Sequence, residues 1–141
     1  MRPLDELASA FIARTLPKAE WTHEAHLRVG TWHVVHHGRD EAMVLLRERI
    51  ARYNESVGGV NTDQDGYHDT ITWFYVAMIA DHLGRADRSR GVEALADEVV
   101  ALLGDRQLPY RYYSRDHLMS VAARRGIVEP DLRKLPGSGE Q

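Results

Sequence analysis

Apolar residues in this chain recur at helical spacing, turn-forming residues close each such stretch, and strand-like alternation is absent, which confines the fold to all-α architectures. Leu4, Leu7, Ala8, Phe11 and Ile12 predict a short helix over Leu4–Thr15, stopped by Pro17. Thr22 is a favourable N-cap for a second helix from His23 to His37, ended by Gly38. Asp40 begins a third, carried by Ala42 to Tyr53, before a polar loop from Asn54 to Gly66. A strongly apolar helix is expected from Tyr67 to Leu83, lying centrally and ending at Gly84. Another follows from Ser89 to Leu103, and a last one runs from Ser114 to about Arg125. These elements predict a single compact bundle of five or six helices over residues 1–135, with a flexible tail over 136–141.

Composition narrows the chemistry. The 141 residues suffice for one hydrophobic core without disulfides or a structural metal, so a bound metal would serve function rather than folding. Cysteine is absent, which leaves oxygen and nitrogen to do any chemistry and suits a reducing cytoplasm. The 18 basic and 21 acidic side chains are interspersed and give a net charge of −3, without a field that would capture nucleic acid or an anionic membrane. Met1 to Glu6 carries acids and no long apolar run, so neither a secretory leader nor a membrane anchor is expected there. The expected partner is a small molecule, and a homo-oligomer is compatible with the sequence.

Histidine supplies the chemical signal. On a helical wheel His23, His26, Leu27, Gly30, His33, Val34 and His37 share an arc of about 120°. Gly30 lies mid-face, where a glycine implies close approach by a neighbouring helix or a ligand. The apolar helix presents His68, Ile71, Thr72, Tyr75, Met78, Ile79 and His82 on one side. If these faces meet, His23, His26 and His68 converge as three nitrogen ligands with an open position, suited to zinc, iron, manganese or nickel. Glu24 or Asp69 would then add a carboxylate ligand, orient a ring or act as general base, with Tyr75 in support. Thr72 would orient substrate and Trp21 would form a wall. Tyr113 and Arg124, beside Ser114 and Ser120, are candidate contacts for an anionic group.

The segments WTHEAHL at Trp21–Leu27, RYN at Arg52–Asn54, GYHDTIT at Gly66–Thr72, YYS at Tyr112–Ser114 and PDL at Pro130–Leu132 resemble an uncharacterised family of small bacterial all-α proteins. The resemblance spans nearly the whole chain and implies no activity. An HD-phosphohydrolase pattern laid on His23 or His26 and His68-Asp69 is weakened by the polar glycine loop preceding the His-Asp pair. Three-histidine bundles resembling the DinB group match in size but not in His23/His26 spacing. A small metal-dependent hydrolase, lyase or oxygenase acting on a polar or anionic metabolite is therefore the leading expectation. The alternatives are a metal-free histidine acid–base enzyme and a non-catalytic ligand-binding or interaction module with structural histidines.

Overall fold

The computed structural model describes residues 2–137, and all its regular elements are helical. Seven α-helices follow in order: α1 (Leu4–Ala13), α2 (His23–His37), α3 (Arg39–Ser56), α4 (Asp69–Arg85), α5 (Val92–Leu103), α6 (Arg115–Leu118) and α7 (Val121–Arg125). Short 3-10 turns occupy Lys18–Glu20, Arg88–Arg90 and Leu108–Arg111. Leu135 is buried; the tail expected over 136–141 lies outside the described residues from residue 138 onward, as does Met1.

Local chemistry sets the boundaries. The Thr22 side chain accepts from the Ala25 amide at 3.2 Å, starting α2 where the sequence indicates. Gly38, at φ +80°, ends α2 and directly precedes α3, a left-handed conformation that favours glycine. Its position lets α3 begin at Arg39, one residue ahead of the expected Asp40 cap. Helix α3 continues through Asn54 to Ser56 instead of yielding to the loop, and α5 starts at Val92 because Arg88–Arg90 form a separate turn. The expected final helix is two helices. Ser120 donates to the His117 carbonyl at 2.8 Å and accepts from the Ala123 amide at 3.1 Å, closing one turn and capping the next. Ser114 does not cap; it binds Asp131 through both its amide and its hydroxyl.

The central element is α2, not the more apolar α4. It packs against α1, α3, α4 and α5. Several of its polar groups find partners: Arg28 is buried with its terminal nitrogens against Glu93 at 3.2 Å and Asp97 at 2.8 Å, while its Nε has no partner among the described residues, and Thr31 donates to the Leu27 carbonyl at 2.8 Å. His33 is fully buried, donating through Nδ1 to the Val29 carbonyl and accepting at Nε2 from Arg49. The hydrophobic core includes Phe11, Leu27, Tyr53, Phe74, Ile79, Leu83 and Leu95, each contributing about 1.5–3 kcal/mol by burial. Glu93 also accepts the Leu4 amide at 2.6 Å, so a side chain of α5 caps the start of α1. No helix of the described residues is long and apolar enough to cross a membrane.

Candidate functional site

The predicted faces of α2 and α4 meet, and the space between them is a cavity of about 330 Å³. His23, His26, Leu27 and Gly30 line it from α2; Ile71, Thr72, Tyr75, Val76 and Ile79 line it from α4. Leu46 and Ile50 of α3 close another side, and Trp21, Thr22 and Arg106 complete the wall. Gly30 is the close-approach position: a Cβ there would stand 3.1 Å from Ile79 Cδ1. An apolar enclosure with a few convergent polar groups is the usual form of a small-molecule site.

The two α2 histidines differ in their commitments. His26 donates from Nδ1 to the Thr22 carbonyl at 2.7 Å, which leaves Nε2 as a free acceptor. Its ring lies against Trp21, centroids 3.9 Å apart. The residue keeps substantial exposure, yet protein packs densely around it, so desolvation pushes its pKa down to about 4. His23 packs edge-on against Tyr75 at 5.5 Å, and its Nε2 is buried with no hydrogen-bond partner among the described residues. Desolvation lowers its pKa as well, although the nearby Leu103 backbone favours the protonated ring without meeting Nε2 in bonding geometry. Both rings are therefore neutral at pH 7.

Tyr75 has no hydrogen-bond partner among the described residues, and burial raises its pKa to about 12, which keeps it a proton donor. Thr72 donates to the His68 carbonyl at 2.9 Å while lining the cavity. Trp21 stacks on Phe11 at 4.5 Å, and its buried indole N–H also has no partner. Arg106 forms no ion pair or hydrogen bond among the described residues, so a free guanidinium stands at the cavity. The start of α2 adds the positive end of a helix dipole.

His68 does not join the other two histidines. Its Nε2 donates to the Leu118 carbonyl at 2.7 Å and its Nδ1 accepts from the Ile71 amide at 3.1 Å, so it is the N-cap of α4 with both ring nitrogens occupied. Asp69 is likewise engaged, accepting two bonds from Arg47 and one from Tyr67 at 2.7 Å. Thr70 extends the pattern, donating to the Gly126 carbonyl and accepting from the Val128 amide. The GYHDTIT segment thus fastens the start of α4 to the C-terminal third. Among the described residues no group of three or more histidines and acids is arranged to hold a metal ion.

Other expected contacts lie elsewhere. Glu24 faces a separate hollow with Arg2, Glu20 and Arg28, because its position on the α2 wheel turns it away from His26. Tyr113 is fully buried, its hydroxyl donating to the Val128 carbonyl at 2.8 Å. Arg124 donates to the Gly66 carbonyl at 2.9 Å and so clamps the end of the polar loop.

Against known families, curated proteins and solved structures the chain shows no significant match.

Sequence reasoning missed Arg106, Leu46 and Ile50 as cavity residues. Leu46 and Ile50 belong to the apolar periodicity of α3, which marks them as core without naming the space they border. Arg106 lies in the segment after α5, where no periodicity indicates a direction.

Proposed function

We propose that the α2/α4 cavity is the active site of a metal-free acid–base enzyme acting on a small, largely apolar molecule that carries an anionic or carbonyl oxygen. The observation that carries this reading is the gathering of a free imidazole nitrogen on His26, an unpartnered Tyr75 phenol and an unpaired Arg106 around one apolar cavity. Such a set supplies a base, a proton donor and a cation in a poorly solvated space, where electrostatic interactions are stronger than in water. Lyase or hydrolase chemistry fits it: His26 accepts a proton from carbon or from water, while Tyr75 and Arg106 stabilise the developing oxyanion. His23 is a positioning residue beside Tyr75. An anionic group entering the cavity raises the imidazole pKa toward neutrality, bringing the base nearer its working range.

A metal-dependent reading keeps only two of its three nitrogens, since both nitrogens of His68 are engaged; catalytic zinc sites take three protein ligands. Metal analysis of untagged protein after supplementation with zinc, iron, manganese and nickel separates the two. One bound equivalent that is lost in a His26→Ala variant would restore the metal reading.

The test of the acid–base reading is ligand-observed NMR with a panel of small aromatic and aliphatic carboxylates, followed by time-resolved spectra for turnover. Binders are expected to lose contact with His26→Ala and to show turnover that Tyr75→Phe lowers by about 10²-fold or more. Binding without turnover across the panel would favour the ligand-binding module. Binders unaffected by His26→Ala and Gly30→Leu would remove the cavity from consideration.

A further inference from the structure

A second hollow, of about 550 Å³, shares two lining residues with the first: Trp21 and His26. Its remaining wall comes from Lys18 and from the polar segment around Asn54, Val57, Gly59, Val60, Asp65 and Gly66. That segment has a built conformation. Asn61 donates to the Ala51 carbonyl at 2.9 Å and accepts from the Tyr67 amide at 2.9 Å, which joins the end of α3 to the approach to α4. Two of its wall residues admit no side chain: a Cβ on Gly59 would stand 2.9 Å from the Asn54 carbonyl oxygen, and Gly66, at φ +86°, would meet the Val60 carbonyl oxygen. The outer hollow is therefore shaped by backbone constraints.

The two hollows differ in chemistry. Leu27, Leu46, Ile50, Ile71, Val76 and Ile79 make the inner one apolar. The outer one offers the Lys18 ammonium and the Asp65 carboxylate, neither of which has a side-chain partner among the described residues. Of the two shared residues, Trp21 has its indole N–H buried without a partner among the described residues, and His26 Nε2 is unoccupied there. Buried donors without partners are uncommon, and an unmade bond of this kind is costly enough to be filled by a ligand or a water.

We propose that the two hollows are subsites of one elongated site, and that its ligand is an amphiphilic small molecule. An apolar or aromatic body occupies the inner cavity, a head bearing an anionic oxygen reaches Lys18 in the outer one, and the chain between them passes the Trp21–His26 pair. This inference rests on the inner cavity being the active site and adds the class of substrate. It also sets the reacting group at the junction, within reach of His26.

The probes are phenylacetate, 4-phenylbutyrate and 6-phenylhexanoate, titrated while the Trp21 indole and His26 ring signals are followed by NMR. Affinity is expected to rise about tenfold or more at the chain length that carries the carboxylate past the stack, the gain of one charge-assisted contact. Lys18→Ala should abolish that gain and leave phenylacetate binding unchanged. An even rise with chain length that ignores Lys18→Ala overturns the two-subsite proposal and leaves the inner cavity as the site. Unchanged binding of all three probes in Gly30→Leu, and in Ile71→Trp should the first variant fold poorly, overturns both readings. Failure of all three to bind at low millimolar concentration overturns the proposed ligand class.

Discussion

His68 Nε2 donates to the carbonyl oxygen of Leu118 at 2.7 Å, and this bond, between residues 50 apart in sequence, commits the third candidate histidine to joining helices rather than completing a ligand set. With Nδ1 accepting from the Ile71 amide, the ring is held as the neutral Nε2–H tautomer. It fastens α4 to α6.

His68→Ala removes an N-cap and a buried interhelical bond, so urea denaturation should show a loss of about 1–3 kcal/mol. His68→Asn, which retains capping ability but not the reach to Leu118, should lose less. Probe binding in the cavity should survive both substitutions; its loss in a stably folded His68→Ala protein would return His68 to the site.

Stability should fall with acid. His33 accepts from Arg49 and is fully buried, and desolvation lowers its pKa from 6.5 to about 4. The unfolded chain therefore takes up a proton before the folded one does. The stabilising contribution is complete above pH 6.5 and declines as pH drops toward about 4, by about 3 kcal/mol for this residue. His68 shifts in the same direction, also through desolvation, and adds to the effect. Denaturation at several pH values should show a shallower decline in His33→Gln; an unchanged slope would assign the acid sensitivity elsewhere.

Asp69 serves Tyr67 and Arg47 rather than a reaction. Asp69→Asn should cost about 1–3 kcal/mol, discounted because Arg47 is partly exposed, and should release the Tyr67 hydroxyl, whose pKa burial and this carboxylate raise. Tyrosine ultraviolet titration should register Tyr67 ionising at lower pH in the variant. Turnover lost without any change in stability would instead support a catalytic Asp69.

Gly30 separates packing from function. In Gly30→Ala the helix gains about 1 kcal/mol of propensity while the new methyl group displaces the flexible end of Ile79, so net stability should change by less than about 1 kcal/mol. Gly30→Leu should fill the cavity and block probe binding. A crystal structure of the leucine variant with the cavity still open would refute the wall assignment of Gly30.

Much of the fold was legible in the sequence because helix signals act over short distances. Thr22 reaches Ala25 and the α2 wheel brings His23, His26, Leu27 and Gly30 to one face, all within contacts of three or four residues. The α4 stripe of Ile71, Thr72, Tyr75 and Ile79 was legible for the same reason, whereas its meeting with the α2 face was a condition in the sequence that the packing of the helices fulfils. The division of the last helix at Ser120 was not, since Ser120 continues a helical pattern unless its hydroxyl turns back to His117.

The sequence by itself determined an all-helical chain, the span of α2, and the stripe of α2 that faces α4. Tertiary structure decided which polar groups remain available. His68, Asp69, Tyr113 and Arg124 find partners on distant segments, whereas among the described residues His26 Nε2, Tyr75 and Arg106 do not. Periodicity specifies the direction of a side chain from its own helix, but a hydrogen bond is satisfied only when the rest of the fold supplies its partner.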